Sequence, residues 1–582
     1  MIKTLSKHIK GYVRDSVITP LFMILEVIME TIVPFVMSSM IDDGINKGDM
    51  NHILLTGSIM ALCAVLGLFG GTMGGIFGAR ASAGFAKNLR QAMFENIQSF
   101  AFANIDKYST AGLVTRMTTD VTNLQNAYQM LLRICFRATV SLICAMTMTF
   151  IINAKLASVY LIAIIFLGII LAFLITKTYK YFNKVFEKYD ELNASVQENV
   201  TSIRVVKAFV REEHEIKKFD KAAYNLYKLF VKAENAMVSV SPIMMLTVYG
   251  SIIAVSWLGA NMIVGSELTT GELTSMLTYC MNILMSLMML AFIFVMLTMS
   301  LASARRVAGV LNEKSILTNP QNPDYNVENG SIDFENVYFS YNKTAEKPVL
   351  SDINLSIKSG ETIGIIGGTG SSKTSLVNLI GRLYDVNEGC VKVGGKDVRS
   401  YDLETLRNEV AVVLQNNVLF SGTILDNMRW GNENATDEEC INACKLAFAD
   451  DFIQSFPEKY NTKIEQGGTN VSGGQKQRLC IARALLKKPK ILILDDSTSA
   501  VDTSTDAKIR KAFRDEIPNT TKIIISQRIS SVENADRIVV MDDGIINAVG
   551  THDELVKSCD IYNEIYSAQT SGSGDFDQKG EL

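Results

Sequence analysis

The sequence predicts an all-α membrane domain of six transmembrane helices with long cytoplasmic helical hairpins, fused to an α/β domain of the phosphate-loop type. Long uncharged apolar runs are confined to roughly the first 300 residues, and a glycine-rich loop follows an apolar strand near residue 366. The mean hydropathy of +0.19, with 20% charged residues, is too apolar for an ordinary soluble enzyme of 582 residues. The sequence therefore indicates two domains in different solvents.

Charge and cysteine content argue against several classes of partner and site. The formal net charge is −4 and no basic patch stands out, so we expect no nucleic-acid partner. The nine cysteines are scattered and include no CxxC pair. This pattern indicates buried thiols in a reducing compartment rather than disulfides or a metal centre.

Six apolar runs predict the transmembrane helices. Each run is about 20 residues or longer, enough to cross a hydrocarbon core of ~30 Å as a helix. A basic, amphipathic segment over residues 1–16 predicts an interfacial elbow helix that is retained rather than cleaved. This half of the chain should therefore have the lipid bilayer as its partner. The runs lie near residues 17–40, 53–78, 130–152, 157–176, 237–263 and 274–300.

The distribution of basic residues predicts the orientation. Lysines and arginines crowd the N-terminus and the segment after the fourth run, whereas the loops DDGINKGD and VGSELTTGE are mostly acidic. The positive-inside rule therefore places both termini in the cytoplasm. The inner connections near 79–129 and 177–236 are long enough to form helical hairpins that reach roughly 35 Å beyond the bilayer. We predict tips at 109–121 and 195–209 that couple to the second domain.

Charged residues within the apolar runs have two interpretations. Glu26 and Glu30 lie one helical turn apart in the first run, and Arg133 and Arg137 do so at the start of the third. They form a structural ion network, or Glu26 and Glu30 line a cavity for cationic substrates. The glycines between residues 67 and 78 predict close helix packing. The methionine-rich sixth run fits either core filling or contact with varied apolar ligands.

The second domain contains a phosphate-binding loop in ETIGIIGGTGSSKTSLVNLI, where an apolar strand leads through glycines into an amphipathic helix. Backbone N–H groups and the positive helix end can hold phosphates, while Lys373 neutralises the terminal ones and Thr374 ligates Mg²⁺. Ser372 stands where the consensus has glycine, and we expect a negative φ there because of its Cβ. With ATP and Mg²⁺ as cofactors, the predicted binding residues are Gly367, Gly368, Thr369, Gly370, Ser371, Ser372, Lys373, Thr374 and Ser375.

Two further motifs carry a family resemblance. The strand in KPKILILDDSTSAVD ends in Asp495, and NVSGGQKQRLCIARALL precedes it. With the phosphate loop, this set resembles the ATP-binding cassette (ABC) family, and six runs followed by one cassette resemble the type IV exporters over nearly the whole chain. The resemblance implies that Asp495 holds Mg²⁺, that Tyr341 stacks on adenine, and that Gln415 is the Q-loop residue at Mg²⁺. It also implies that a signature motif acts on a partner's ATP, through Val471, Ser472, Gly473, Gly474 and Gln475.

Three positions depart from the family pattern. Asp496 stands where the family has a catalytic Glu, so its carboxylate is displaced by roughly 1.5 Å on an unchanged backbone. Gln527 replaces the switch His, which removes a titratable imidazole. Gln466 replaces a Glu often found before the signature in exporters. These changes are harmless drift, or they indicate an ATP site impaired in hydrolysis.

The expected function is that of one subunit of an ATP-driven exporter for hydrophobic or amphipathic compounds in a bacterial-type inner membrane. A heterodimer with a homologous half-transporter is favoured, with this chain's phosphate loop in the degenerate site. A homodimeric lipid or peptide exporter, a metal-chelate importer and an ATP-gated regulatory or channel-like protein are alternatives. The expected boundaries are an elbow helix over 1–16, a transmembrane domain over 17–313, a linker over 314–330, a nucleotide-binding domain over 331–568 and a disordered tail over 569–582.

Overall fold

The computed structural model describes residues 1–342 and 347–570, and the chain forms two compact units. The first unit comprises Met1–Gln98 and Thr110–Glu313. The second joins Ser99–Ser109 to the chain that begins at Lys314. The first unit thus ends at residue 313, and a short inner segment of the membrane half, Ser99–Ser109, belongs to the second unit.

Twelve helices precede the first strand in the described chain, and six helical stretches among them are long and apolar enough to cross a membrane. Those stretches contain the predicted runs, except for residues 175 and 176 at the end of the fourth, so the protein is a multi-pass membrane protein. The helices are α1 (Ile2–Ser6), α2 (Val13–Ser39), α3 (Met50–Gln98), α4 (Phe102–Tyr108), α5 (Thr110–Thr115), α6 (Val121–Met130), α7 (Phe136–Ile152), α8 (Ala154–Thr201), α9 (Ile203–Ala208), α10 (Glu212–Val238), α11 (Val240–Val264) and α12 (Thr270–Asn312).

The N-terminal elbow is not the single helix that we predicted. Helix α1 and a 3-10 turn over Lys7–Ile9 are followed by Gly11, whose φ of 91° only glycine adopts readily. Helix α2 then begins at Val13, inside the expected elbow. The side chain of Asn88 on α3 donates to the carbonyls of His8 and Lys10, which fixes this turn against the first unit.

The first hairpin reverses earlier than we predicted. Its reversal lies at Ser99–Ser109 with α4 at its centre, whereas the predicted tip at 109–121 forms returning helix. The buried Asn104 on α4 donates to the carbonyl of Lys314 and accepts from the backbone N–H of Ile316. These partners are about 210 residues away in sequence, and local pattern does not reveal them. The second reversal, at α9, lies within the predicted 195–209.

Glycines on α3 allow close approach to α2, as predicted. A Cβ added at Gly70 would lie 3.1 Å from the carbonyl oxygen of Phe22, and one at Gly74 would meet the side chain of Met23 at 2.3 Å. Both glycines are buried. Small residues of this kind let two membrane helices pack backbone against side chain.

The second unit contains two principal sheets. A four-stranded antiparallel sheet has the order β2-β1-β4-β5. A six-stranded sheet has the order β12-β11-β3-β10-β9-β6, parallel except for the edge strand β12. The strands are β1 (Ile332–Phe339), β2 (Leu350–Ile357), β3 (Thr362–Ile366), β4 (Glu388–Val393), β5 (Lys396–Asp397), β6 (Val410–Val413), β7 (Gly422–Thr423), β8 (Lys463–Ile464), β9 (Ile491–Asp495), β10 (Thr521–Ile525), β11 (Arg537–Asp542) and β12 (Ile545–Gly550).

Helices cover the parallel sheet and complete the α/β fold that the sequence predicts. Strands β3, β9 and β10 are almost entirely buried, as expected for central parallel strands. The helices are α13 (Lys373–Ile380), α14 (Leu403–Glu409), α15 (Ile424–Arg429), α16 (Asp437–Leu446), α17 (Asp450–Gln454), α18 (Gly473–Leu485), α19 (Thr503–Glu516), α20 (His552–Ser558) and α21 (Asp560–Thr570).

The C-terminal boundary lies slightly beyond the predicted one. Helix α21 continues to Thr570, so Gln569 and Thr570 belong to the domain rather than to the expected disordered tail. Residues 571–582 of that tail lie outside the described residues.

Candidate nucleotide-binding site

The phosphate loop lies at the carboxyl end of β3, where parallel α/β sheets bind ligands. The loop runs from Gly367 to Ser372 and leads directly into α13. The Lys373 ammonium donates to the carbonyls of Gly367 and Gly368, at 3.1 and 2.7 Å, and to the Ser371 hydroxyl at 3.0 Å. Burial lowers the pKa of Lys373 below its ordinary value. The loop thus folds around a cation at a helix N-terminus, which is an arrangement that binds phosphate.

Ser372 contradicts the sign of φ that we predicted. It has φ 69° and ψ 20°, in the left-handed region, and its side chain makes no capping hydrogen bond to α13. The turn from the loop into the helix imposes this conformation, which is why glycine suits the position. The serine Cβ is tolerated here at a cost in backbone strain.

Two of the predicted metal ligands, Thr374 and Asp495, lie within hydrogen-bonding distance of each other. The Thr374 hydroxyl lies 2.9 and 3.1 Å from the two carboxylate oxygens of Asp495, at the end of β9. Asp495 is only 3% exposed, and burial raises the pKa of its carboxyl group. Hydroxyl and carboxylate oxygens beside a phosphate loop form a donor set suited to a hard divalent cation.

Asp496 lies next to this pair and close to a third predicted residue. Burial raises the pKa of its carboxyl group, and the nearby Gln415 side chain and the positive charges of Arg528 and Lys373 oppose that rise. Its φ of 47° is in the left-handed region. Arg528 donates to the carbonyl of Ser499 at 3.1 Å. It therefore links the loop that contains Gln527, here called the switch loop, to the SAVD loop over residues 499–502. Arg528 gave no signal in the sequence analysis because nothing local distinguishes it from a surface arginine.

Gln527 follows β10, and its backbone is fixed by a residue that the sequence analysis missed. The side chain of Gln569 on α21 donates to the carbonyl of Gln527 at 2.8 Å and accepts from the N–H of Ile529 at 2.9 Å. The side chain of Gln527 itself is exposed. The sequence places Gln569 in the expected tail because the segment around it is short and polar.

Tyr341 lies beyond β1, near the start of α13. Its hydroxyl is 3.0 Å from the Ser375 hydroxyl, and its side chain is half exposed. The ring of Tyr384 meets it edge to face, with centroids 5.0 Å apart. The Tyr384 hydroxyl donates to Asp106 on α4 at 2.7 Å, so α4 lies one residue away from the Tyr341 ring. An exposed ring fixed in this way can accept a flat base.

The VSGGQ motif forms the start of α18. Ser472 and Gln475 cap the helix reciprocally, with the Ser472 N–H donating to Gln475 at 2.9 Å and the Gln475 N–H donating to Ser472 at 3.3 Å. A Cβ at Gly474 would lie 2.7 Å from the carbonyl oxygen of Ala500 in the SAVD loop. Gly473 is therefore the first residue of α18 after the Ser472 cap, and Gly474 lets the SAVD loop approach.

Comparison with known proteins decides the family. Residues 17–288 match the ABC transporter transmembrane region, and residues 350–499 match the ABC transporter domain. An uncharacterised ABC transporter ATP-binding protein of Bacillus subtilis, YfiB, is 34% identical over 577 residues, covering 99% of each chain. The chain belongs to the ABC transporter family.

Two further comparisons place this transporter within the family. The ATP-dependent lipid A-core flippase of Desulfotalea psychrophila is 34% identical over 466 residues, covering 79% of this chain and 80% of that protein. The structure of a bacterial Atm1-family ABC exporter with ATP bound has the same fold, with a TM-score of 0.83 and 24% identity, over 96% of this chain and 99% of that one. The protein is thus an ATP-binding, ATP-hydrolysing transporter with the exporter fold.

In the membrane unit of the transporter, the charged residues of the first and third runs form an unequal network. The Arg137 guanidinium pairs with Glu26 at 3.5 Å and with Glu30 at 3.1 Å. Both carboxylates thus have a cation of the same chain, which favours the structural ion network over a site for cationic substrates. Arg133 pairs with neither of them in the described chain.

Proposed function

We propose that this chain is one subunit of a heterodimeric exporter, in which its phosphate loop contributes to a slow, ATP-retaining site. The observation that carries the proposal is Asp496, which stands beside Asp495 where the family pattern has Glu. Its side chain is one methylene shorter than Glu, and a misplacement near 1 Å lowers a rate on the order of a hundredfold. Gln527 removes the titratable group of the switch loop as well.

The remaining site residues are assigned to nucleotide and metal as the family pattern implies. Thr374, Asp495 and Gln415 would hold Mg²⁺, which would neutralise charge on the phosphates. Tyr341 would stack on adenine, and the capped start of α18 would bind the terminal phosphate of the ATP held by the partner subunit. Closure of two cassettes on ATP would turn the membrane cavity from inward to outward, with both termini in the cytoplasm.

The decisive experiment restores the missing groups in the purified chain. We expect weak ATP hydrolysis by the chain alone and an increase of about ten- to a hundredfold for Asp496→Glu combined with Gln527→His, at unchanged ATP affinity. Asp496→Asn is the matched control, because it keeps the length and removes the carboxylate. Rapid, drug-stimulated hydrolysis by the unmodified homodimer would refute the proposal.

A homodimeric lipid exporter is the second candidate. It is supported by the similarity to the lipid A-core flippase, which extends over most of both chains. In sealed vesicles, the homodimer alone would then move a fluorescent lipid at the expense of ATP. A requirement for a homologous partner in that assay would favour the heterodimer instead.

A further inference from the structure

The membrane unit contains a cavity of about 510 Å³ bordered by α2, α3, the turn before α7, and α12. Apolar and charged side chains line it together. The charged ones are Glu26, Arg133 and Arg137, and the others include Met23, Leu68, Ile134 and Met289. A cavity of this size and mixture suits a molecule with one apolar part and one polar head.

The charged side chains that line the cavity differ in whether they have an ion-pair partner. Arg137 is held by Glu26 and Glu30, as described above. Arg133 forms no ion pair and no hydrogen bond within the described chain, and its Nε is buried without a partner. A guanidinium among membrane helices without a counter-charge is unfavourable unless a ligand or water meets it. Among the described residues that line the cavity, the one charged side chain without a partner is therefore positive.

The glycines of α3 make room for these side chains. A Cβ added at Gly71 would lie 3.1 to 3.3 Å from the Glu26 carboxyl group, and one at Gly78 would lie 3.0 Å from the Arg133 Cδ. At Gly75, one turn along, a Cβ would come within 3.7 Å of the Arg133 guanidinium. The face of α3 thus carries only glycines where Glu26 and Arg133 pack against it. The Glu26 carboxylate and the Arg133 guanidinium therefore occupy defined positions beside the cavity.

We propose that this cavity binds a single-chain amphiphile with an anionic head group, the carboxylate or phosphate of which pairs with Arg133. The apolar chain lies along Met23, Leu68, Ile134 and Met289. The Glu26–Arg137–Glu30 network repels a second anion and leaves one position for the head group. This inference rests on the proposed export function, because it names the class of compound that the exporter carries.

Photolabelling tests the proposal without ATP or a partner subunit. The full chain in phosphatidylcholine nanodiscs is labelled with a diazirine-bearing fatty acid or with the fatty alcohol of the same chain, and the labelled peptides are identified by mass spectrometry. We expect the acid to label peptides that contain residues 19–29, 131–140 or 285–292 about tenfold more than the alcohol does, the scale of one charge-assisted contact. Unlabelled oleate should compete, and inorganic phosphate should not.

Three variants separate the role of Arg133 from general effects. Arg133→Gln should lower labelling by the acid about tenfold and leave labelling by the alcohol unchanged, and Arg133→Lys should retain most of it. Arg80→Gln, at an exposed arginine of α3 that does not line the cavity, should label as the unmodified chain does. Unchanged binding of a fluorescent ATP analogue confirms that each variant is folded.

Equal labelling by acid and alcohol would overturn the inference, and so would acid labelling that survives Arg133→Gln. Competition by inorganic phosphate as effective as that by oleate would also overturn it, since the site would then take a free anion. ATP hydrolysis is measured in a separate experiment. A negative photolabelling result therefore does not refute the proposed ATP site, and a negative hydrolysis result does not refute the proposed amphiphile site.

Discussion

The Tyr341 side chain is held in place by a hydroxyl contact and is still exposed enough to bind a nucleotide base. Its hydroxyl contacts Ser375 while half of the side chain is exposed. We expect Tyr341→Ala to weaken ATP binding by roughly 5- to 150-fold, because stacking of a base on an aromatic ring contributes about 1–3 kcal/mol. Tyr341→Phe keeps the ring and should bind nearly as the unmodified chain does. Displacement of a fluorescent ATP analogue measures both, and equal losses would assign the effect to the hydroxyl instead.

Substitution of Ser372 by glycine should make the nucleotide-binding unit more stable. A left-handed conformation costs an L-residue about 1–2 kcal/mol, and glycine gives up about 0.5–1 kcal/mol in chain entropy. Ser372→Gly should therefore stabilise the nucleotide-binding unit by about 0.5–1 kcal/mol, seen as a higher midpoint of its thermal transition. Ser372→Ala is the control and should change little, because the serine hydroxyl forms no capping bond to α13. Destabilisation by glycine would show that the φ of 69° is not strained.

The roles of the ATP-site residues stay predictions, and the backbone conformation that we predicted at one of them was wrong. Lys373, Thr374 and Asp495 come together because they follow the carboxyl ends of β3 and β9, two parallel strands of one sheet. The sign of φ at Ser372 was predicted wrongly, since we argued from the Cβ alone. The path from β3 into α13 overrides that local preference.

At the scale of elements, α21 fixes the switch loop through a single side chain. Gln569 accepts from the Ile529 N–H and donates to the Gln527 carbonyl. We expect Gln569→Ala to accelerate amide exchange at Ile529 by about fivefold, because a typical hydrogen bond contributes about 1 kcal/mol. Gln569→Glu still accepts from Ile529 and should keep that amide protected. Hydrogen–deuterium exchange at the Ile529 amide distinguishes the two variants, with the buried Ile524 of β10 as the internal reference.

An unchanged exchange rate in Gln569→Ala would mean that the switch loop is held by its other contacts. One of these is the Arg510 guanidinium, which donates to the Ser530 carbonyl at 2.7 Å.

The elements most accurately predicted are those with strong periodicity or length. All six apolar runs lie within helices, and the central strands lie where short apolar runs precede motif residues. The elements placed wrongly are fixed by distant partners: α4 by Asn104 and the backbone at Lys314, and the N-terminal turn by Asn88. A single sequence contains no local trace of such contacts.

For the whole molecule, the family fixes the architecture, and the division of labour between two subunits remains a prediction. The chain carries VSGGQ at the start of α18, and Asp496 stands where the family pattern has Glu, so we expect its phosphate loop and its VSGGQ motif to differ in importance for hydrolysis. In a pair of unequal subunits, one composite site would use this chain's phosphate loop and the other its signature. Substitutions in the two motifs should therefore have different consequences for the same complex.

Ser472→Ala and Lys373→Ala test this division in a co-purified pair with a homologous half-transporter. Ser472→Ala should lower hydrolysis by the pair about tenfold or more, because it removes a phosphate contact at the competent site, while photolabelling of this chain by 8-azido-ATP persists. Lys373→Ala should abolish that photolabelling and lower hydrolysis less, because the slow site contributes little turnover. If Ser472→Ala left hydrolysis unchanged and Lys373→Ala abolished it, this chain would carry the competent site, and Asp496 would be an adequate base.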